Sequence, residues 1–197
     1  IGTSTMINEV DVIELPSGEY EASSIKYWNA RENCILITGG RKVRIEGTGK
    51  GTTVIKGRVQ VGKYNLEEEN VVELFGLTLA DSEASGVSIF GKGAVGKVRQ
   101  CEMRGHTYDG VLVLDGAKGD LEKSDMHGNG INGVTILDKG SVLGMRECKL
   151  WDNMERNEVH IGDNASASDI TLEGNLIGDE AKKAIAMDQA QAQAQAQ

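Results

Sequence analysis

The stretch GVLVLDGAKGDLEKSDMHGNGINGV, residues 110–134, begins and ends with the same Gly-Val dipeptide. Pairs of the form Val-x-Val or Val-x-Ile recur along the chain, and their first members lie 24, 23 and 25 residues apart. The pairs are Val87/Ile89, Val111/Val113, Val134/Ile136 and Val159/Ile161. The first three pairs follow Gly86, Gly110 and Gly133, which we interpret as one corner on successive repeats that requires a positive φ.

A second motif precedes each of these pairs. It consists of an apolar residue and two further core residues, three and five positions after it. Its copies are Leu74/Leu77/Leu79, Val98/Cys101/Met103, Leu121/Ser124/Met126, Met145/Cys148/Leu150 and, last, Leu172/Asn175/Ile177. Short strands of period two, glycine-rich turns and this spacing predict an all-β fold. The predicted architecture is a right-handed parallel β-helix of about six to seven coils. A leucine-rich repeat has a similar period, but it needs a helical return that this sequence lacks.

The N-terminal segment fits the same architecture. VDVIELPSGEYE, residues 10–21, predicts a strand, a Pro-Ser-Gly turn and a second strand, and CILITGG (34–40) and KVRIEGTGKGTTVIKG (42–57) follow it. This order resembles the entry of pectin-lyase-like β-helix proteins, and the resemblance covers roughly residues 10–178. It implies the fold more than an activity, because that family includes lyases, hydrolases, esterases, epimerases and non-catalytic binding modules.

The C-terminal residues differ in character from the repeats. We predict a β-helix over residues 1–178, a short helical cap over 179–188 and a low-complexity Gln/Ala tail over 189–197. A cap of this kind would cover the open core of the last coil. The tail is expected to be mobile or bound to a partner.

Composition and charge exclude several classes of partner. The formal net charge is -9 and the basic residues are scattered, which argues against nucleic acid and anionic membrane surfaces. No apolar run approaches the roughly 20 residues of a membrane span, and no secretion signal is recognisable. Three cysteines without metal-type spacing are expected to be reduced buried thiols, compatible with an intracellular or organellar site.

The alternation within the strands predicts which side chains point outward. Phe90, Leu114 and Leu137 would form an exposed apolar column, with Leu112 beside it. Such a column favours a surface covered by a protein partner or by the tail. The alternative is that these side chains turn into the core. On another face, Arg99, Glu122 and Arg146 should form a ladder of alternating charge.

Three carboxylates follow the apolar column at one corner of successive coils. Asp115, Asp138 and Asp163 would repel one another unless an ion such as Ca²⁺ bridged them. The alternative is that they are ordinary turn residues, because Asp-Gly and Asp-Lys-Gly are common turn sequences.

The corner that precedes each Val-x-Val pair carries the chemically richest residues. In an enzyme, His106 or His127 would act as a base, Asp109 and Asp152 would lie nearby, and Trp151 would stack on a sugar ring. The alternative is that the asparagines of this corner form a hydrogen-bonded ladder.

The strand face does not carry the site patterns that the resemblance implies for the enzymes. Polygalacturonases, for example, have paired aspartates and a Gly-His-Gly segment, whereas this face carries Ser88, Leu112, Thr135 and His160. We therefore predict a non-catalytic binding or structural module without a cofactor, which presents a strand face to a protein partner or larger assembly. The alternative is a carbohydrate-active β-helix enzyme of the lyase, hydrolase or epimerase type.

Overall fold

The computed structural model describes residues 10–25, 28–29, 33–63, 67–154, 158–162, 164–165 and 170–178. Within them, strands β1 to β21, numbered in chain order, form three seven-stranded sheets that we name A, B and C. A short 3-10 turn, Ala22–Ser24, follows the second strand. No helix of these residues is long and apolar enough to cross a membrane.

The strands visit the three sheets in turn. Sheet A contains β1 (Asp11–Glu14), β5 (Lys42–Glu46), β8 (Val71–Phe75), β11 (Val95–Arg99), β14 (Lys118–Glu122), β17 (Val142–Arg146) and β20 (Ile170–Glu173). Sheet B contains β2 (Gly18–Glu21), β6 (Thr53–Lys56), β9 (Thr78–Ala80), β12 (Glu102–Arg104), β15 (Asp125–His127), β18 (Lys149–Trp151) and β21 (Leu176–Ile177). Sheet C contains β3 (Trp28–Asn29), β4 (Cys34–Ile37), β7 (Arg58–Val61), β10 (Val87–Phe90), β13 (Val111–Leu114), β16 (Val134–Ile136) and β19 (Val159–Ile161).

One strand from each sheet makes a coil, and each coil pairs in parallel with the next. The register follows the sequence repeat, since Val87 pairs with Val111, Val111 with Val134, and Val134 with Val159. β3 departs from this pattern because it runs antiparallel to β4. Six coils are complete, and β20 and β21 begin a seventh. The predicted all-β parallel solenoid of about six to seven coils is therefore confirmed.

The core is a set of apolar columns that run along the solenoid between the three sheets. Ile89, Val113 and Ile136 are fully buried, as the alternation predicts. In the final strands, Ile161, Leu172 and Ile177 are 41%, 49% and 39% exposed. The predicted cap (179–188) and tail (189–197) lie outside the described residues and stay predictions.

The reason given above for the glycines at the Val-x-Val corner is wrong. Gly86, Gly110 and Gly133 are not among the glycines that adopt a positive φ. A β-carbon at Gly110 would instead lie 2.6 Å from the carbonyl oxygen of Gly133 and 3.0 Å from Nδ2 of Asn129. Glycine is required here because successive coils approach too closely for any side chain.

Positive φ occurs at the tight turn between sheets A and B. Gln100, Lys123 and Glu147 occupy equivalent positions of this turn, with φ of 53°, 51° and 53°. Each lies between two strands that the second sequence motif links. The left-handed conformation at this corner is therefore adopted by long polar residues whose side chains point away from the core.

The outer face of sheet A carries the predicted ladder of alternating charge. Arg99 Nη1 lies 2.6 Å from a Glu73 carboxylate oxygen, and Arg146 Nη2 lies 2.9 Å from Glu122. Arg99 also approaches Glu122, with its Nε at 3.6 Å. Because these groups are partly exposed, each pair adds little to stability.

The three cysteines are buried thiols that form no disulfide, as their number and spacing predict. Burial raises the pKa of Cys101 and of Cys148 to about 11. At neutral pH both thiols are therefore protonated and are poor nucleophiles.

Candidate functional site

A hydrogen-bonded ladder runs through the corner between sheets B and C. It links Ser82, His106, Asn129 and Asn153, one residue from each of four successive coils, and we call it the amide ladder. The backbone N–H and Nδ2 of Asn129 donate to Oδ1 of Asn153 at 3.1 and 2.9 Å. All four residues are buried. The asparagine ladder that the sequence left open is thus present.

His106 occupies one position of the amide ladder. The imidazole Nδ1 accepts a hydrogen bond from the backbone N–H of Ser82 at 3.3 Å. The backbone N–H of His106 donates to Oδ1 of Asn129 at 3.3 Å. Its Nε2 is buried and has no hydrogen-bond partner among the described residues. Burial lowers the pKa of His106 to about 4. The imidazole is therefore neutral at pH 7 and, at 2% exposure, does not face solvent.

Removal of one ladder amide should destabilise the fold measurably. Asn129→Ala leaves the buried backbone N–H of His106 without its acceptor and removes the side-chain donor to Oδ1 of Asn153. The loss should lower the free energy of unfolding by about 2 kcal/mol. The matched control is Asn164→Ala, because Asn164 is exposed. Urea unfolding of the two variants checks the difference, and equal free energies would contradict a stabilising ladder.

A second buried network lies nearer the start of each sheet C strand. Asp109 Oδ1 accepts hydrogen bonds from Nδ2 of Asn132 at 3.0 Å and from Oγ1 of Thr135 at 2.8 Å. Its Oδ2 accepts a longer bond from Oγ of Ser85 at 3.4 Å. All four residues are at most 7% exposed. We call Ser85, Asp109, Asn132 and Thr135 the Asp109 network.

Three members of the Asp109 network, Asp109, Asn132 and Thr135, form part of the polar side of an open cleft on the outer face of sheet C. The cleft has a volume of about 300 Å³. Its lining consists of Asp109, Leu112, Ile131, Asn132, Thr135, Leu137 and His160. Half-buried leucine and isoleucine side chains supply the apolar walls. A concave site with apolar walls and a few convergent polar groups is typical of a binding site, and we call it the sheet C cleft.

The predicted apolar column is less exposed than expected. Phe90 pairs with Leu114 in register, but Leu114 is only 7% exposed, and Phe90 and Leu137 are half-buried. Leu112 lies in the neighbouring outward column and is also half-buried. Of these leucines, Leu112 and Leu137 reach the sheet C cleft, whereas Leu114 does not line it.

His127 and Trp151 lie on the outer face of sheet B, on strands and not in the corner where the alignment placed them. His127 is in register with Arg104 and Trp151, and its ring stacks on the Trp151 indole with centroids 4.2 Å apart. His127 Nε2 lies 2.8 Å from Oε1 of Glu102. The Glu102 carboxylate also accepts a bond from Thr78 at 2.7 Å. The hydrogen bond to His127, above all, lowers the pKa of Glu102.

The four candidate catalytic residues are divided among separate places. His106 lies inside the amide ladder, Asp109 lines the sheet C cleft, and His127 lies on sheet B. Asp152 is exposed and follows the end of β18 with a φ of 57°. No single cleft of the described residues therefore contains all four.

The aspartates considered for Ca²⁺ occupy turns. Asp115 and Asp138 follow sheet C strands with φ of 58° and 67°, a conformation that aspartate tolerates better than most residues. Asp163 lies outside the described residues. Within the described ranges, no group of three or more His, Cys, Asp or Glu side chains could hold a metal ion.

Sequence reasoning missed several residues of the sheet C cleft and of the His127–Glu102 pair on sheet B. Thr135 and His160 were recognised as outward-facing but not as parts of a site, and Ile131 was not singled out at all. On sheet B, the partner of His127 is Glu102, which was not among the predicted site residues. Glu102 and His127 lie on adjacent coils and in different columns. An alignment that compares residues within one column therefore gives no signal for the pair.

A comparison with protein-family models agrees with this architecture. The family model described as "Right handed beta helix region" matches residues 13–196. Among solved structures, the chain is similar to the Azotobacter vinelandii mannuronan C-5 epimerase AlgE4 A-module, with 15% identity and a TM-score of 0.36, over 85% of this chain and 80% of that one. No curated protein sequence matches. The chain belongs to the right-handed β-helix family.

Proposed function

We propose that this protein is a non-catalytic binding module and that a protein partner docks on the sheet C cleft. The cleft itself carries the proposal, because its leucine and isoleucine walls surround a small set of fixed polar groups. Docking there would cover the half-buried side chains of Leu112, Ile131 and Leu137, which line the cleft. Apolar side chains in such a pocket are the anchors that dominate most protein interfaces.

The state of the reactive side chains supports binding more than catalysis. His106 is held in the amide ladder, and both oxygens of Asp109 accept hydrogen bonds from neighbouring coils. These groups stabilise the stack of coils. A general base, in contrast, needs an open path to the proton that it removes.

A photoreactive side chain at position 112 tests the docking site, with position 36 as the matched control. Leu36 belongs to the same outward column of sheet C, three strands before Leu112. We expect a protein to crosslink from position 112 and not from position 36. Equal crosslinking from both positions, or none, would contradict the proposed site.

The crosslinked protein, once identified and purified, allows a quantitative second step. Leu112→Arg should weaken its binding at least tenfold, the loss typical of an interface anchor, and Leu36→Arg should leave the Kd nearly unchanged. Both variants should melt at similar temperatures, since both positions are half-buried on the outer face. Equal affinities of the two variants would refute docking at the cleft.

The pair of His127 and Glu102 favours one second candidate, a carbohydrate-active enzyme. A carboxylate that orients an imidazole is the arrangement of a general base, and Nε2 and Oε1 lie 2.8 Å apart here. Incubation with neutral and uronate polysaccharides, followed by chromatography of the products, tests this candidate. Turnover that His127→Gln abolishes would establish it and displace the binding module.

A further inference from the structure

We infer that the sheet C cleft binds an arginine or lysine side chain of its partner. This inference rests on the proposed function, because it assigns a chemistry to the segment that enters the same cleft. Three features of the cleft support it: a carboxylate that has no counter-charge among the described residues, an amide oxygen that has no donor among them, and apolar walls.

The first feature is the Asp109 carboxylate. Asn132, Thr135 and Ser85 donate to its two oxygens, and all of these donors are neutral. Both carboxylate oxygens therefore act as acceptors in this network. Among the described residues, no Lys, Arg or His forms an ion pair with it. A buried charge without a counter-charge is costly, so a cation that reached Asp109 would be strongly favoured.

The second feature is the side-chain amide of Asn132, which also lines the cleft. Its Nδ2 donates to Asp109 at 3.0 Å and to Thr135 at 3.0 Å, and this fixes the orientation of the amide. The Oδ1 atom then has no hydrogen-bond donor among the described residues, although Asn132 is only 4% exposed. Within the described part of the chain, the carboxylate and this amide oxygen therefore present negative potential at one end of the cleft.

The third feature is the apolar wall. Leu112, Ile131 and Leu137 surround the polar end of the cleft. Lysine and arginine match this combination, because their methylene stems pack on apolar surface while the charged head reaches a carboxylate. The formal net charge of -9 would also draw a cationic partner segment toward the protein.

A titration with short blocked peptides tests this chemistry on the full chain. The probes are Ac-Leu-Arg-Leu-NH₂ and, as the neutral control, Ac-Leu-Gln-Leu-NH₂, followed in ¹H–¹⁵N spectra. The arginine peptide should cause saturable shifts of the Asn132 side-chain amide and of the Ile131 and Thr135 backbone amides. The glutamine peptide should bind at least tenfold more weakly. Equal binding of the two peptides, or shifts confined to other sheets, would overturn the inference.

Two charge-removing variants sharpen the test. Asp109→Asn should weaken the arginine peptide at least tenfold, whereas Asp120→Asn, on the outer face of sheet A with 57% of its side chain exposed, should not. If Asp109→Asn does not fold, Leu112→Arg replaces it, since a guanidinium placed in the cleft should also block the peptide. Unchanged affinity in either cleft variant would overturn the inference.

A further variant controls for a cation supplied by the chain itself. Arg156 aligns with Asn132 in the sequence repeat and lies outside the described residues. If the arginine peptide binds only after Arg156→Gln, the cation of the cleft is the protein's own and the inference fails. Binding to the wild-type chain, unaffected by Arg156→Gln, is the expected result.

The two proposals can fail separately. A partner that crosslinks at position 112 but is insensitive to Asp109→Asn would leave the binding module standing and refute the cationic side chain. If the arginine peptide binds the cleft but no partner crosslinks at position 112, the cation-binding cleft stands and the proposed docking of a protein partner is refuted.

Discussion

Gly110→Ala is expected to destabilise the protein by about 3 kcal/mol, at the upper end of the usual cost of overpacking. The added β-carbon would lie 2.6 Å from the Gly133 carbonyl oxygen and 3.1 Å from Cγ of Met126. The carbonyl cannot withdraw freely, because it accepts the backbone N–H of Val111 at 3.1 Å. For a chain of this length, the melting temperature should fall by roughly 6–12 °C.

Gly144→Ala is the matched control for this prediction. Gly144 also has a φ outside the left-handed region, and the nearest atom to its added β-carbon would be Oδ1 of Asp120 at 3.6 Å, an ordinary contact. Alanine there should be neutral or stabilise by up to about 1 kcal/mol, since it restricts the unfolded chain. Equal thermal and urea unfolding of both variants would contradict the close approach of coils at Gly110.

Acidification is expected to remove about 3 kcal/mol of stability through His106. The pKa of His106 in the folded protein is about 4, below its usual 6.5, because burial disfavours the charged imidazole. Between these values the unfolded chain binds a proton that the folded protein does not. The contribution is therefore complete above the unfolded pKa and is lost as the pH falls toward the folded pKa.

His106→Asn separates this effect from all other acid effects. An asparagine Oδ1 can accept the Ser82 N–H, as Asn129 and Asn153 do for the coil before each of them. The variant should lose less stability than the wild type between about pH 7.5 and about pH 4.5, as measured by urea unfolding. The other titratable groups are the same in both proteins. Parallel pH profiles of the two proteins would contradict a buried neutral His106.

The fold could be predicted from the sequence because the length of one coil is written in the spacing of the repeat. A spacing near 24 residues places the same side chains above one another on every coil, so Val87, Val111 and Val134 had to share a column. The conformation of the corner was harder to predict. A glycine can be required by its φ or by a close neighbour, and only the positions of Gly133 and Asn129 distinguish the two causes at Gly110.

The site was less predictable because it depends on contacts between columns. Asp109 and Thr135 are 26 positions apart and lie on different coils, but a 2.8 Å hydrogen bond joins them. His127 and Glu102 form a similar diagonal pair at 2.8 Å. A repeat alignment places residues along columns, and side-chain length and rotamer then decide which column each one reaches.

Hydroxyl-radical footprinting of the purified wild-type chain tests the central claim most directly. It compares the free chain with its non-covalent complex with the partner that the crosslinking experiment identifies. The account predicts that oxidation of Leu112, Ile131 and Leu137 falls on binding, while oxidation of Trp151 on sheet B is unchanged. Met154, which is 78% exposed, serves as the internal standard. Protection of Trp151 with the sheet C cleft left reactive would contradict docking on sheet C.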